Sequence, residues 1–223
     1  MKLRQIGAMV LCAMVMTVLA CWMPDAAAQR GGGGPQLAPE KAEAAWKLEA
    51  ECVAKALSLS EEKTGGLVAA YKAARKSYQE GVEKLTAAQG DDRTALFMAF
   101  RELQDTERGK LEVALKGILE ETQVAQAIAS LGTFNRGWDR YVDILAGLEL
   151  GDENLSKALA LVNQYVIDSD KSMREALAKQ DMESLRETRR AEKEKLDTAL
   201  ATVLSEEQKT KWGEATALRG AGR

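Results

Sequence analysis

The segment Lys195–Gln208 (KLDTALATVLSEEQ) repeats Lys110–Gln123 (KLEVALKGILEETQ), with seven of fourteen positions identical. Glu112/Asp197 and Ile118/Val203 differ only conservatively. A weaker echo lies upstream of each copy, where LSLSEE at 57–62 answers LELGDE at 148–153. Echo and repeat follow in the same order twice, as in one helical module written in tandem. The echoes are 91 residues apart and the repeats 85, so the second copy is six residues shorter. The shortening belongs at the hairpin tip, where 86–92 faces the briefer 178–181.

Composition agrees with long helices. There are 3 Pro among 223 residues and only 5% aromatics. Alanine, leucine, glutamate and lysine dominate, which favours helix over sheet. Apolar residues step by three and four, as a one-sided helix requires. A first helix is expected from Glu40 to Leu57, with Trp46, Val53 and Leu57 inward. Ser58 or Ser60 caps a long helix to Ala88, carrying Leu67, Tyr71, Ala74, Tyr78, Val82 and Leu85. Gly65, Gly66 and Gly81 weaken it. Gly90-Asp91-Asp92 forms a turn and cap. The return helix carries Leu96, Phe100, Leu103, Leu111, Leu115 and Ile118, and a short helix runs from Glu121 to Leu131, closed by Gly132. The second module opens with Phe134, Trp138, Tyr141, Leu145 and Leu148. Asp152 caps its long helix (Leu155, Leu159, Val162, Val166, Met173 and Leu177 inward). Asp181 starts a return helix to Leu204, whose charged middle, 186–195, reads as a solvated face. The fold class is all-α, with two tandem helical-hairpin modules in a cradle or bundle. Residues 40–132 form the first module, 133–218 the second, and 219–223 a frayed tail.

The N-terminus reads as an export signal. Lys2 and Arg4 precede an apolar run from Ile6 to Met23, and Ala26-Ala27-Ala28 offers small residues for cleavage. An uncleaved anchor, or lipid attachment at Cys21, is the alternative. Residues 29–39 form a Gly-rich flexible leader. Cys12 and Cys21 leave with the signal, so Cys52 has no internal partner. Its spacing with Ala45, Leu48, Ala56 and Leu59 favours a buried inert thiol over a disulfide between chains. The expected location is the periplasm, with no stable membrane span in the mature form. The formal charge of −3 comes from 31 basic and 34 acidic residues, which gives no basic stripe for nucleic acid.

The repeated block ends in a helix cap. In Ser205-Glu206-Glu207-Gln208 the serine can accept from the N–H of Gln208, and the Gln208 side chain can reach back to the N–H of Ser205. Leu204 can staple against the new helix. In the first copy the cap position is Glu120, a weaker cap, with Gln123 retained. Leu204–Gln208 (LSEEQ), Leu119–Gln123 (LEETQ) and Leu59–Lys63 (LSEEK) resemble the LTxxQ motif of the Spy/CpxP family of periplasmic stress proteins, which carry it twice per chain. Serine stands for the family's threonine in two of the three. Lys63 departs from the family's glutamine, and Leu150–Asn154 is looser still. The resemblance covers roughly 57–131 and 148–218, each with the length of one family protomer. It implies an all-helical, often cradle-shaped dimer. Some members are ATP-independent chaperones, some repress envelope-stress signalling and some bind zinc. A chain with two modules could form internally what relatives form as a dimer. The motif residues Leu59, Ser60, Leu119, Gln123, Leu204, Ser205 and Gln208 are then structural, helix-capping positions.

The chain has no histidine. This excludes Ser-His-Asp and Cys-His catalysis and counts against zinc, which favours His and Cys ligands. No Walker loop or dinucleotide fingerprint occurs. The adjacent carboxylates Glu61/Glu62 and Glu206/Glu207 open helices, where capping explains them. The formal sequon Asn154-Leu155-Ser156 falls at a helix start. No catalytic residue, metal ligand or cofactor is expected, and no client-binding residue is assignable. The leading expectation is a periplasmic holdase-type chaperone or envelope-stress adaptor for unfolded or envelope proteins, with a homodimer possible. A non-catalytic scaffold for one specific partner is the alternative, and a metal sensor a third. The acidic overall charge departs from relatives that present a basic concave face.

Overall fold

The structure is a computed structural model that describes residues 37–88, 93–179 and 181–217. The expected signal, most of the leader, the Gly90-Asp91-Asp92 turn, the side chain of Leu177 and the 219–223 tail lie outside the described residues. The fold is all-α. The eight described helices are α1 (Pro39–Ala56), α2 (Glu61–Ala87), α3 (Arg93–Lys116), α4 (Glu121–Leu131), α5 (Arg136–Ala146), α6 (Asp152–Lys179), α7 (Met182–Leu200) and α8 (Glu206–Ala217).

Local chemistry sets most of the boundaries. Pro39 sits in the first turn of α1, where its missing N–H costs nothing. Ser60 caps α2 by accepting from the N–H of Lys63 at 3.4 Å. Asn135 caps α5 through Gly137 and Asp181 caps α7 through Ser184. Two expected boundaries shift. Asp152 is the first helical residue of α6 rather than its cap, placing its charge in the first turn near the helix dipole. α7 ends at Leu200, not Leu204, because the N–H groups of Thr202 and Val203 turn to carbonyls three residues back.

Consecutive long helices pack as pairs, α2 with α3 and α6 with α7. The short helices α1 and α5 pack on each other and join the pairs, α1 lying on α2 and α6 and α5 on α6. α4 touches α1, α3 and α6, and α8 rests on α5. One continuous cluster of buried residues runs through both halves, including Trp46, Val53, Leu67, Leu111, Leu115, Trp138, Leu145, Val162 and Leu200. The shared core is thus one unit from Leu37 onward rather than two separate hairpins. Most of the expected stripes lie inward, but Leu96, Phe100 and Leu103 on α3 stay half-exposed.

Three non-glycine residues adopt left-handed backbone: Ser58 (φ 52°), Phe134 (φ 44°) and Glu149 (φ 52°). Ser58 and Glu149 occupy equivalent positions of the LSLSEE and LELGDE echoes. Both turns therefore leave a short helix and enter a long one by the same unusual step. Phe134 joins α4 to α5. A bulky residue in this region costs on the order of 1–2 kcal/mol. The cost is offset by burying the ring, which stacks on Tyr78 and Tyr71 with centroids 5.1 and 6.4 Å away.

Two glycines of α2 differ in role. A Cβ at Gly81 would meet Leu103 of α3 at 2.7 Å, so Gly81 admits the close approach of the two helices. Nothing lies within 4 Å of a Cβ at Gly65. Gly65→Ala is expected to raise stability by about 0.5–1 kcal/mol through helix propensity alone. Gly81→Ala should gain less or lose, because Leu103 must move. Urea denaturation of the two variants checks both signs.

Candidate functional site

The motif residues gather at the bases of the helix pairs. In the second half, the N–H of Ser205 donates to Gln208 Oε1 at 2.9 Å, and the N–H of Gln208 donates to Ser205 Oγ at 3.4 Å. Gln208 Nε2 also donates to the carbonyl of Leu148 at 3.1 Å, tying the start of α8 to the turn before α6. In the first half, the N–H of Glu120 donates to Gln123 Oε1 at 3.3 Å. Lys63, which replaces the family's glutamine, reaches Glu120 at 3.8 Å. The end of the repeat is therefore linked to the first turn of the long helix in the first half and to the echo before the long helix in the second. The exposed ion pair adds little energy, while the amide bond of Gln208 is part-buried and directional. Leu119 and Leu204 are buried, and Leu59 packs against the same core. These positions fasten helix ends.

A buried polar cluster was not read from the sequence. Glu49 of α1 is fully buried, as are Tyr71 and Arg75 of α2 and, nearly so, Asp139 of α5. The Tyr71 hydroxyl donates to Glu49 Oε2 at 2.6 Å. Arg75 Nη2 donates to Asp139 Oδ2. The guanidinium lies 5.2 Å from the Trp46 ring centroid and 5.9 Å from that of Tyr71. Burial alone would lower the Arg75 pKa, but the facing Tyr71, Asp139 and Glu49 hold it above its ordinary value. Burial, followed by the Asp139 carboxylate, pushes Glu49 well above the usual carboxyl range against the opposing pull of Arg75 and Tyr71. The signal available was position: Glu49 sits three residues after Trp46 and four before Val53, and Arg75 four after Tyr71.

Two surfaces remain open. On the first half of α3, Phe97 is 45% and Met98 60% exposed, beside half-covered Leu96 and Phe100. Arg101, Glu102 and Asp105 follow within two turns. Farther along α3, Val113 is 71% exposed. Between α6 and α7 runs a groove of about 420 Å³ whose lining mixes apolar Leu161, Tyr165 and Leu196 with polar Asp168, Ser172 and Glu192. Ser172 donates to Glu192 Oε1 at 2.6 Å in its wall. Of the charged 186–195 stretch, most side chains are exposed, but Lys193 bonds Asp197 and lies 5.5 Å from the Trp212 ring.

Cys52 is half-buried and unpaired. Burial pushes its thiol up to about 11. Among the described residues no group of three or more Cys, Asp or Glu converges as a metal-binding cluster. No described helix is long and apolar enough to cross a membrane. No family model, curated protein or solved structure matches the chain.

The cap and the thiol can each be tested. Gln208→Ala removes an arm of the cap and the Leu148 bond together, so it should cost about 1–2 kcal/mol, against about 1 kcal/mol for Ser205→Ala. Amide hydrogen exchange at the start of α8 should rise in both. Cys52 should react with iodoacetamide at about pH 8 at least roughly tenfold more slowly in the native protein than in the urea-unfolded chain, since little thiolate forms.

Proposed function

We propose that the protein is an exported, ATP-independent holdase or stress adaptor of the Spy/CpxP kind, built as two modules in one chain. The observation that carries this reading is the exposed Phe97 and Met98 on a helix whose first half keeps its apolar residues uncovered. Apolar side chains rimmed by charge suit weak contact with unfolded segments, released without nucleotide. Met adapts its shape to many partners. The LSEEQ, LEETQ and LSEEK motifs support the family reading, and the N-terminal pattern of 1–28 supports export. The matched left-handed residues Ser58 and Glu149, together with the packing of α1 on α5, support the tandem reading. In it, α5 occupies against α1 the place that a second protomer occupies in a two-chain cradle.

A second reading is a non-catalytic adaptor for one envelope partner. The groove between α6 and α7 favours it, because a mixed polar and apolar channel recognises a defined segment better than many clients. Light scattering of a thermally aggregating client, with and without residues 29–223, separates the two. A holdase suppresses aggregation of several unrelated clients at modest excess. The double substitution Phe97→Ser/Met98→Ser should weaken suppression roughly fivefold, as expected for about 1 kcal/mol of apolar contact. No suppression of any client, with one stoichiometric complex recovered from envelope extracts, would replace the holdase with the adaptor.

A further inference from the structure

The buried cluster holds an imbalance that its hydrogen bonds do not resolve. Glu49 uses Oε2 to accept from Tyr71, and Asp139 uses Oδ2 to accept from Arg75. The other oxygen of each, Glu49 Oε1 and Asp139 Oδ1, is buried with no donor, while Arg75 Nη1 and Trp46 Nε1 beside them are buried with no acceptor. Two carboxylates and one guanidinium, sealed from water, would leave an uncompensated negative charge. Such a charge in the interior is costly enough that a group neutralises instead. Glu49 and Asp139 meet around the same guanidinium, and the Asp139 carboxylate opposes ionisation of Glu49. One proton held by the pair adds a donor to the cluster and brings it to neutrality.

We propose that Glu49 is protonated in the native protein and donates to Asp139, so that a single trapped proton clamps α1, α2 and α5 together and makes their docking sensitive to pH. Arg75 pairs with Asp139, which places the proton on Glu49. The groups facing Glu49 are Tyr71 and Arg75 from α2 and Asp139 from α5. The core-facing residues of α4 and α6, the other helices on α1, are apolar there: Val124, Ala127, Ile128, Ala158, Leu159 and Val162. Their nearest carboxylate and ammonium groups in sequence, Glu121, Glu153 and Lys157, are exposed, and the half-buried Tyr165 follows Val162 by one turn. On α1 itself Lys47 and Glu51 pair with each other, and Cys52, one turn on from Glu49 and next to Lys55, is neutral at these pH values.

The sign follows from linkage. Glu49 binds its proton more tightly folded than unfolded, so its contribution is fully present below the unfolded glutamate pKa. Above that value the unfolded chain ionises while the native state does not, and stability falls until the native proton is lost. This one group should lower the folding equilibrium constant about tenfold per pH unit over that window.

The test compares urea denaturation of wild type and Glu49→Gln between about pH 5 and pH 8. The amide introduced by this substitution would reproduce the neutral hydrogen-bonding pattern without titrating, accepting from Tyr71 and donating to Asp139. The expected result is a variant whose stability is flatter with pH, by about tenfold in the folding constant for each unit of the window. Equal slopes in the two proteins would overturn the proposal. A second measurement needs no variant: infrared spectra of wild type labelled with carbon-13 at the glutamate carboxyl, at neutral pH. A carbonyl band of un-ionised glutamic acid supports the trapped proton. Glutamate signal wholly in the carboxylate bands would sink it, whether or not Glu49→Gln folds.

Discussion

The docking of α1 on α5 is the constraint on which the rest of the molecule depends. A two-helix hairpin has one apolar stripe and nothing of its own to cover it. Here the stripes of α2 and α6 are covered by α1 and α5, and these meet each other through the layer that holds Trp46, Ala50, Val142 and Leu145. The Arg75–Asp139 pair spans the same joint, linking α2 of one half to α5 of the other. A buried ion pair is weak evidence for net stability, since apolar residues of similar size commonly do as well. The chain itself makes that comparison. Counting 91 residues on from Tyr71 and Arg75, the echo register reaches Val162 and Val166, both buried and apolar. The second half does without charges where the first half has them. What the cluster adds is direction: Asp139 meets its partner only if α5 lies on α1 and α2 in one register.

Much of the helical layout was legible because it rests on local chemistry. The three-and-four spacing placed Leu67, Tyr71, Leu159 and Val166 inward, and Ser60, Asp181 and Ser205 marked helix starts through their side-chain oxygens. The cluster was not legible for the opposite reason. Glu49 and Arg75 sit at inward positions, but a charge at such a position gains meaning only from what faces it, and that comes from helices far along the chain. The apolar residues of α3 failed for a related reason. Periodicity says which side of a helix is apolar, not whether anything covers it. α3 packs against α2 and α4, while α1 and α5 serve the other helices, so Leu96, Phe97 and Phe100 keep their exposure.

These two departures divide the molecule. One end of each helix pair is fixed by caps and by a link, Lys63 to Glu120 in the first half and Gln208 to Leu148 in the second, and the aromatic stack of Phe134 holds the middle of α2. The first half of α3 carries apolar side chains with few neighbours.

The connection between α4 and α5 is four residues long, Gly132 to Asn135. A tether this short presents α5 to α1 at an effective concentration in the millimolar range or above. Two separate chains meeting through the same helices would come apart on dilution. In this chain the joint is indifferent to how much protein is present, so a few copies are as completely assembled as many.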